Sequence, residues 1–301
     1  CLIFASMHHA DELGKISKAF LEQNQARHTL GCTGESIVGD DREVENGPAL
    51  AILAITLDEG VALQPLRLDE PGDPFAWMSS VEHPRDAVLL MLGDPFSFRI
   101  HDFLKRVNVD AAGLRVMGGM ASGSQVPRAN QLVLDGEAYS DGAVAVLLTG
   151  PLAIRTIVSQ GCRPVGHTMI VTRAEQNVIH ELGRKPALEA LRAMFQDLPP
   201  DDQRRLQNGL HIGRVINEYQ DSFQRGDFLV HNVSGASNSG AIQITDLIRV
   251  GQTVQFHVRD AESADEDLRI HLRQAHEQAG ESDRPTPAGA LLFTCNGRGS
   301  R

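Results

Sequence analysis

Residues 139–166 are YSDGAVAVLLTGPLAIRTIVSQGCRPVG. Gly142 to Leu148 is an almost unbroken apolar run, the pattern of a strand buried on both faces. Thr149-Gly150-Pro151 breaks it, and Leu152 to Val158 resumes as a second strand, so the two are expected to form a hairpin. The second strand runs into Ser159-Gln160-Gly161-Cys162-Arg163-Pro164. A hydroxyl, an amide, a thiol and a guanidinium stand there beside Gly and Pro, which restrict the backbone. Such a segment is either a binding loop presented by a buried scaffold or an ordinary polar turn.

Working outward, the order strand, helix, glycine-rich loop, strand occurs twice before this stretch ends. Leu2 to Ala5 is a strand, and Leu13, Ile16 and Phe20 share a helical face. A polar loop spans Thr29 to Glu35, and Pro48 to Leu57 reads as a buried strand. Then Val88 to Leu92, a helix through Ile100, Phe103, Leu104 and Val107, the loop Gly118 to Gly123, and Gly142 to Leu148 repeat that order. Leu2 and Val88 are 86 residues apart, Gly31 and Gly118 are 87 apart, and Ala51 and Ala145 are 94 apart. This is the signature of an internal duplication.

The second half differs. Thr172 to Leu198 reads as mainly helical, with Leu188, Leu191, Met194, Phe195 and Leu198 as its stripe, and Asp201 or Asp202 as a cap for the next helix. Strands are expected at Asp227 to Val233, Ala241 to Leu247 and Thr253 to Val258. Ser263 opens a helix with Leu268, Leu272 and Ala275 on its face, and Ala290 to Phe293 is a last strand. The expected class is therefore α/β (α+β): a duplicated N-terminal half, residues 1–151, and a mixed sheet-plus-helix half, residues 152–301.

The 301 residues carry a formal charge of −11, which disfavours a nucleic-acid or anionic-membrane surface. No apolar run reaches the roughly 18 to 20 residues that span a bilayer. The chain opens on Cys1 and stops after an apolar run, and it reads as a fragment cut at both ends. Four scattered cysteines (1, 32, 162, 295) contain no C-x-x-C pair and imply free thiols in a reducing, cytoplasmic setting. There is no Walker A, G-x-S-x-G or H-E-x-x-H pattern, so no catalytic residue, metal ligand or cofactor is assigned.

Polar loops at strand ends can converge on a pocket. The candidate ligand-binding residues are Cys32, Thr33, Gly118, Gly119, Ser122, Ser159, Gln160, Cys162, Arg163, Asn296 and Arg298. Arg163 and Arg298 suit a carboxylate ligand, or else they are surface arginines paired with local acids. An enzyme acting through Cys162 or Cys32 is the alternative, and an interaction adaptor is a third reading.

The words SQGCRPVG at 159–166, GDFLV at 226–230, GQTVQFHVRDA at 251–261 and LFTCNGRG at 292–299 resemble FIST domains (F-box and intracellular signal transduction). So do Leu30-Gly31-Cys32, Asp94-Pro95-Phe96, Gly118-Gly119 and Tyr139-Ser140-Asp141-Gly142 in the first half. The resemblance covers essentially the whole chain. It implies an intracellular sensory module for a small ligand, an amino acid or a derivative, coupled to a signalling partner. It also implies haem-based gas sensing as an alternative, although none of the twelve histidines stands out as an axial ligand.

Overall fold

The structure, a computed structural model, describes residues 1–69, 75–81, 83–280 and 287–294. They fall into two units, Cys1–Ile154 with the segment from Gly289, and Arg155–Ala288.

The first unit contains β1 (Leu2–Ser6), α1 (Leu13–Gln23), β2 (Leu30–Gly34), β3 (Ile37–Gly39), β4 (Arg42–Val44), β5 (Leu50–Leu53) and β6 (Ala62–Arg67). There follow β7 (Val88–Gly93), α2 (Ile100–Asp110), β8 (Arg115–Met120), β9 (Leu132–Leu134), β10 (Glu137–Tyr139) and β11 (Ala143–Thr149). β1 is parallel to β2 and antiparallel to β5. β7 is likewise parallel to β8 and antiparallel to β11. Each repeat also carries a two-residue hairpin, β3–β4 and β9–β10. Their turns use Asp40 at φ 51° and Asp135 at φ 48°, the left-handed backbone that such turns require.

The two repeats therefore share strand order and direction. Their registers correct the sequence spacing: Ile3 faces Gly31, and Met91 faces Gly118, so Ile3 corresponds to Met91 rather than to Leu89. The repeats exchange strands. Hairpin β9–β10 of the second joins the first sheet, in the order β10-β9-β2-β1-β5. β6 of the first joins the second sheet, in the order β6-β11-β7-β8.

Side chains alternate across each strand. Leu2, Leu30 and Cys32 face Leu92, Val144 and Val146 in the core between the sheets. On the outer faces, Leu13 of α1 covers Ile3, Ala5 and Val133, while Phe103 and Val107 of α2 cover Leu89, Met91 and Ala145. The result is four layers, helix, sheet, sheet, helix.

The structure departs from the sequence pattern at several places. β11 has no hairpin partner after it; β6 and β7 flank it, and residues 152–162 form no ladder. Pro48 to Leu57 contributes only the short edge strand β5, with Leu50 41% exposed. Gly118 and Gly119 lie inside β8, not in a loop. Residues 290–293 form no strand, although Leu291 packs against the core between the sheets.

The second unit contains β12 (Arg163–Glu175), β13 (Val178–Leu182), β14 (Lys185–Pro186), α3 (Ala187–Asp197), α4 (Pro200–Asn208), β15 (Leu210–Val215), β16 (Phe228–Ala236), β17 (Ile242–Ile244), β18 (Thr253–Val258) and α5 (Ala261–Gly280). Its sheet runs β12-β18-β15-β16-β17-β13, and β12 also pairs β13, so the strands close into a barrel. β12 serves both neighbours because its first part pairs β18 and its last part pairs β13. Gly166, at φ 67°, sits in the irregular stretch of that strand, with Met194 packed where a Cβ would stand. The expected helix from Thr172 is instead this strand pair: Gln176, at φ 51°, turns the chain between β12 and β13, and only Ala187–Asp197 is helical. The barrel core is Phe256, Ile212, Ile179, Leu182, Ile242 and Val171, with Ala187, Ala190 and Met194 of α3 packed against it. Each large side chain buried there contributes about 1.5–3 kcal/mol.

Candidate functional site

In the first unit, Thr33 and Ser122 meet where β2 and β8 end. The Ser122 N–H donates to the Thr33 carbonyl at 3.3 Å, and the Ser122 hydroxyl accepts the Glu35 N–H at 3.2 Å. The Thr33 hydroxyl accepts the Gln131 N–H at 3.0 Å and lies 3.4 Å from Asn130 Oδ1. These bonds hold the repeats together. Cys32 faces the core between the sheets, and burial pushes its thiol up to about 12, the wrong direction for a nucleophile. Gly118 and Gly119 serve the ladder. Asn296 and Arg298 lie outside the described residues.

The second unit gathers more chemistry. Ser159, Gln160 and Cys162 belong to a strap that precedes β12 and crosses the outer face of the barrel. Its lead-in, residues 155–158, is exposed. Against it stands Asp267 of α5, a carboxylate with only 3% of its side chain exposed. Asp267 Oδ2 accepts the Ser159 hydroxyl at 2.6 Å and the Gly161 N–H at 3.1 Å. Its other oxygen lies 3.6 Å from His271 Nε2 and 3.9 Å from Arg225 Nε. Buried carboxylates need such partners.

Cys162 is buried, and its sulfur accepts the Arg259 Nε–H at 3.3 Å. The same guanidinium donates to the Gln160 carbonyl at 3.1 Å. His257 lies edge-on to Phe228 at 4.9 Å, and its Nδ1 is 3.0 Å from the Gln255 carbonyl. A carbonyl only accepts, so that nitrogen carries the proton. Gln160, Cys162, Arg225, His257, Asp267 and His271 line one water-sized cavity of about 10 Å³. Among the described residues no group of acids, histidines or cysteines has the arrangement of a metal site.

Arg163 does not join them. It forms a two-point ion pair with Asp202 of α4, which Arg205 also approaches at 3.5 Å. The carboxylate that the sequence suggested for Arg163 is here supplied by the chain itself.

Asp267, Arg225, His257, Arg259 and His271 escape a sequence reading that looks for apolar stripes. The available signal is the spacing Ser263, Asp267, His271, four residues apart on one face of α5. That polar stripe is the one turned inward, with Ser263 and Asp267 buried, while Leu272 is 49% exposed. The cap is also displaced: Asp260 accepts the Ser263 N–H at 2.7 Å, and the helix begins at Ala261.

Burial pushes the His257 imidazole down to about 4, with the neighbouring His211 pressing in the same direction. His211 faces His257 across β15 and β18 and is lowered by burial and by Arg259. The unfolded chain protonates His257 near pH 6.5, whereas the folded chain resists until about pH 4. Stability from His257 is thus complete above about pH 6.5 and is lost as pH falls towards about 4. Between pH 7.5 and pH 5 we expect a loss of about 2 kcal/mol, read as a fall in the urea midpoint. A His257→Gln variant should show a flatter profile. An equally steep one would assign the loss elsewhere.

A duplicated, four-layered α+β unit joined to a closed barrel, with a buried polar cluster roofed by a strap and a helix, defines the class. Models of the FIST N domain and the FIST C domain match residues 1–185 and 187–301. An uncharacterized protein of Mycobacterium tuberculosis is 37% identical over 305 residues, covering 100% of this chain and 77% of the relative. An uncharacterized protein of Mycobacterium bovis is 36% identical with the same coverage. The chain belongs to the FIST family. FIST domains are associated with sensing in signal transduction. No described helix is long and apolar enough to cross a membrane.

Proposed function

We propose that this protein is a sensory module of the cytoplasm. It binds a small polar ligand, an amino acid or a related metabolite, at the strap–helix cluster of the second unit, and passes the bound state to a signalling partner. The observation that carries this reading is the buried Asp267 carboxylate opposite the Arg259 guanidinium, 3.1 Å from either side of the Gln160–Gly161 peptide group. An acid and a base facing each other across one small polar group suit a ligand that offers both a donor and an acceptor. Buried ionisable clusters of this kind concentrate at functional sites. Cys1 and Cys32 form no disulfide, which suits a reducing compartment.

The test is a thermal-shift screen over amino acids and their derivatives, run on the wild type and on Asp267→Asn. A ligand present at about 100 times its Kd stabilises the folded state by about 2.7 kcal/mol and raises the melting temperature. The shift should vanish in Asp267→Asn. No shift with any compound, or one that persists in the variant, would overturn the reading.

A further inference from the structure

The strap is held the way a bound peptide is held. The Gln160 carboxamide donates from Nε2 to the Phe228 carbonyl, and its Oε1 accepts the Val230 N–H at 2.7 Å. Those two groups lie on one edge of β16, so the flat amide reads the strand edge as a neighbouring strand would. The following peptide group is gripped on both sides, its carbonyl by Arg259 and its N–H by Asp267. Ser159 adds a hydroxyl to the same carboxylate. Every polar group named here is one that another molecule could bring. By contrast, the strap has no ladder from residue 155 to 162, and Val158 is 65% exposed. Little burial holds the lead-in, so its release exposes little new apolar surface.

We propose that the cleft between β16 and α5 is a binding site for a glutaminyl peptide group, and that Ser159–Gly161 is its tethered occupant. This rests on the functional reading above in taking the same cleft as the ligand site. Specificity follows from the hydrogen bonds. A glutamate in place of the carboxamide sets an acceptor against the Phe228 carbonyl and loses that bond. Free glutamine sets a carboxylate against Asp267 where the occupant has an N–H, so a peptide or amide of glutamine fits better. The tether acts at an effective concentration of order millimolar, so a free ligand must outcompete it.

The experiment is calorimetry on the full chain with N-acetyl-Ser-Gln-Gly-amide, its Glu analogue and free glutamine. The proteins are the wild type and Gln160→Ala, each checked by thermal melting. The expected result is roughly tenfold tighter binding of the Gln peptide to Gln160→Ala than to the wild type, because the tethered competitor is weakened. The Glu peptide and free glutamine should bind roughly tenfold more weakly than the Gln peptide. Where Gln160→Ala does not fold, Ser159→Ala loosens the strap from its other end and gives the same comparison. No binding to any folded variant, or equal affinity for the Gln and Glu peptides, overturns the proposal. Metabolites that stabilise the wild type while the Gln peptide binds nothing would remove this proposal alone. A bound Gln peptide with an empty metabolite screen would support the cleft and remove the amino-acid reading.

Discussion

Gly118→Ala is expected to prevent the first unit from folding. A Cβ at this position would stand 1.7 Å from the Met91 carbonyl oxygen, and the backbone is at φ 135°. Neither the contact nor the conformation admits a side chain, because the clash is with backbone in the middle of a parallel ladder. Gly31 is the counterpart in the first repeat, where a Cβ would meet the Ile3 carbonyl oxygen at 2.0 Å. The expected cost is at least about 4 kcal/mol, a large share of the roughly 5–15 kcal/mol that a folded protein has. The readout is the loss of soluble folded protein, or a collapsed urea midpoint. Gly119→Ala is the control, since its nearest neighbour, Phe293 Cδ1 at 3.6 Å, is an ordinary contact. If Gly118→Ala melts like the wild type, β7 and β8 do not pair in this register.

Asp267→Ala is expected to release the strap and destabilise the second unit by about 3 kcal/mol, the cost of leaving buried partners unpaired. The groups that lose this carboxylate are the Ser159 hydroxyl, the Gly161 N–H and, at 3.6 Å, His271, while Arg225 keeps its 3.0 Å ion pair with Glu266. Asp267→Asn keeps an acceptor for the Gly161 N–H and should cost about half as much. The urea midpoint measures the loss. Trypsin cleavage at the exposed Arg155 should quicken as the strap lifts. A midpoint unchanged to within about 0.5 kcal/mol would mean that Asp267 does not anchor the strap.

How much of this is legible in the chain depends on distance along it. The apolar run from Gly142 to Leu148 announces a buried strand because alternate and consecutive positions are set by local geometry. The repeat is legible for the same reason: strand, helix and glycine recur at a near-constant spacing, and Gly31 and Gly118 do occupy the same station. The sequence also marks Ser159 to Cys162 as a segment of unusual chemistry. It cannot say what meets it. Ser159 finds its carboxylate 108 residues away, and the Gln160 side chain finds β16 some 68 to 70 residues away. Arg163, which the sequence left open between a ligand carboxylate and a local acid, pairs with Asp202. Gly118, read as a loop, is a strand residue because the packing of β7 against β8 demands it. A hydropathy pattern records which side chains avoid water. It does not record which strand lies beside which, and pairing, barrel closure and the buried polar stripe of α5 are all consequences of that choice.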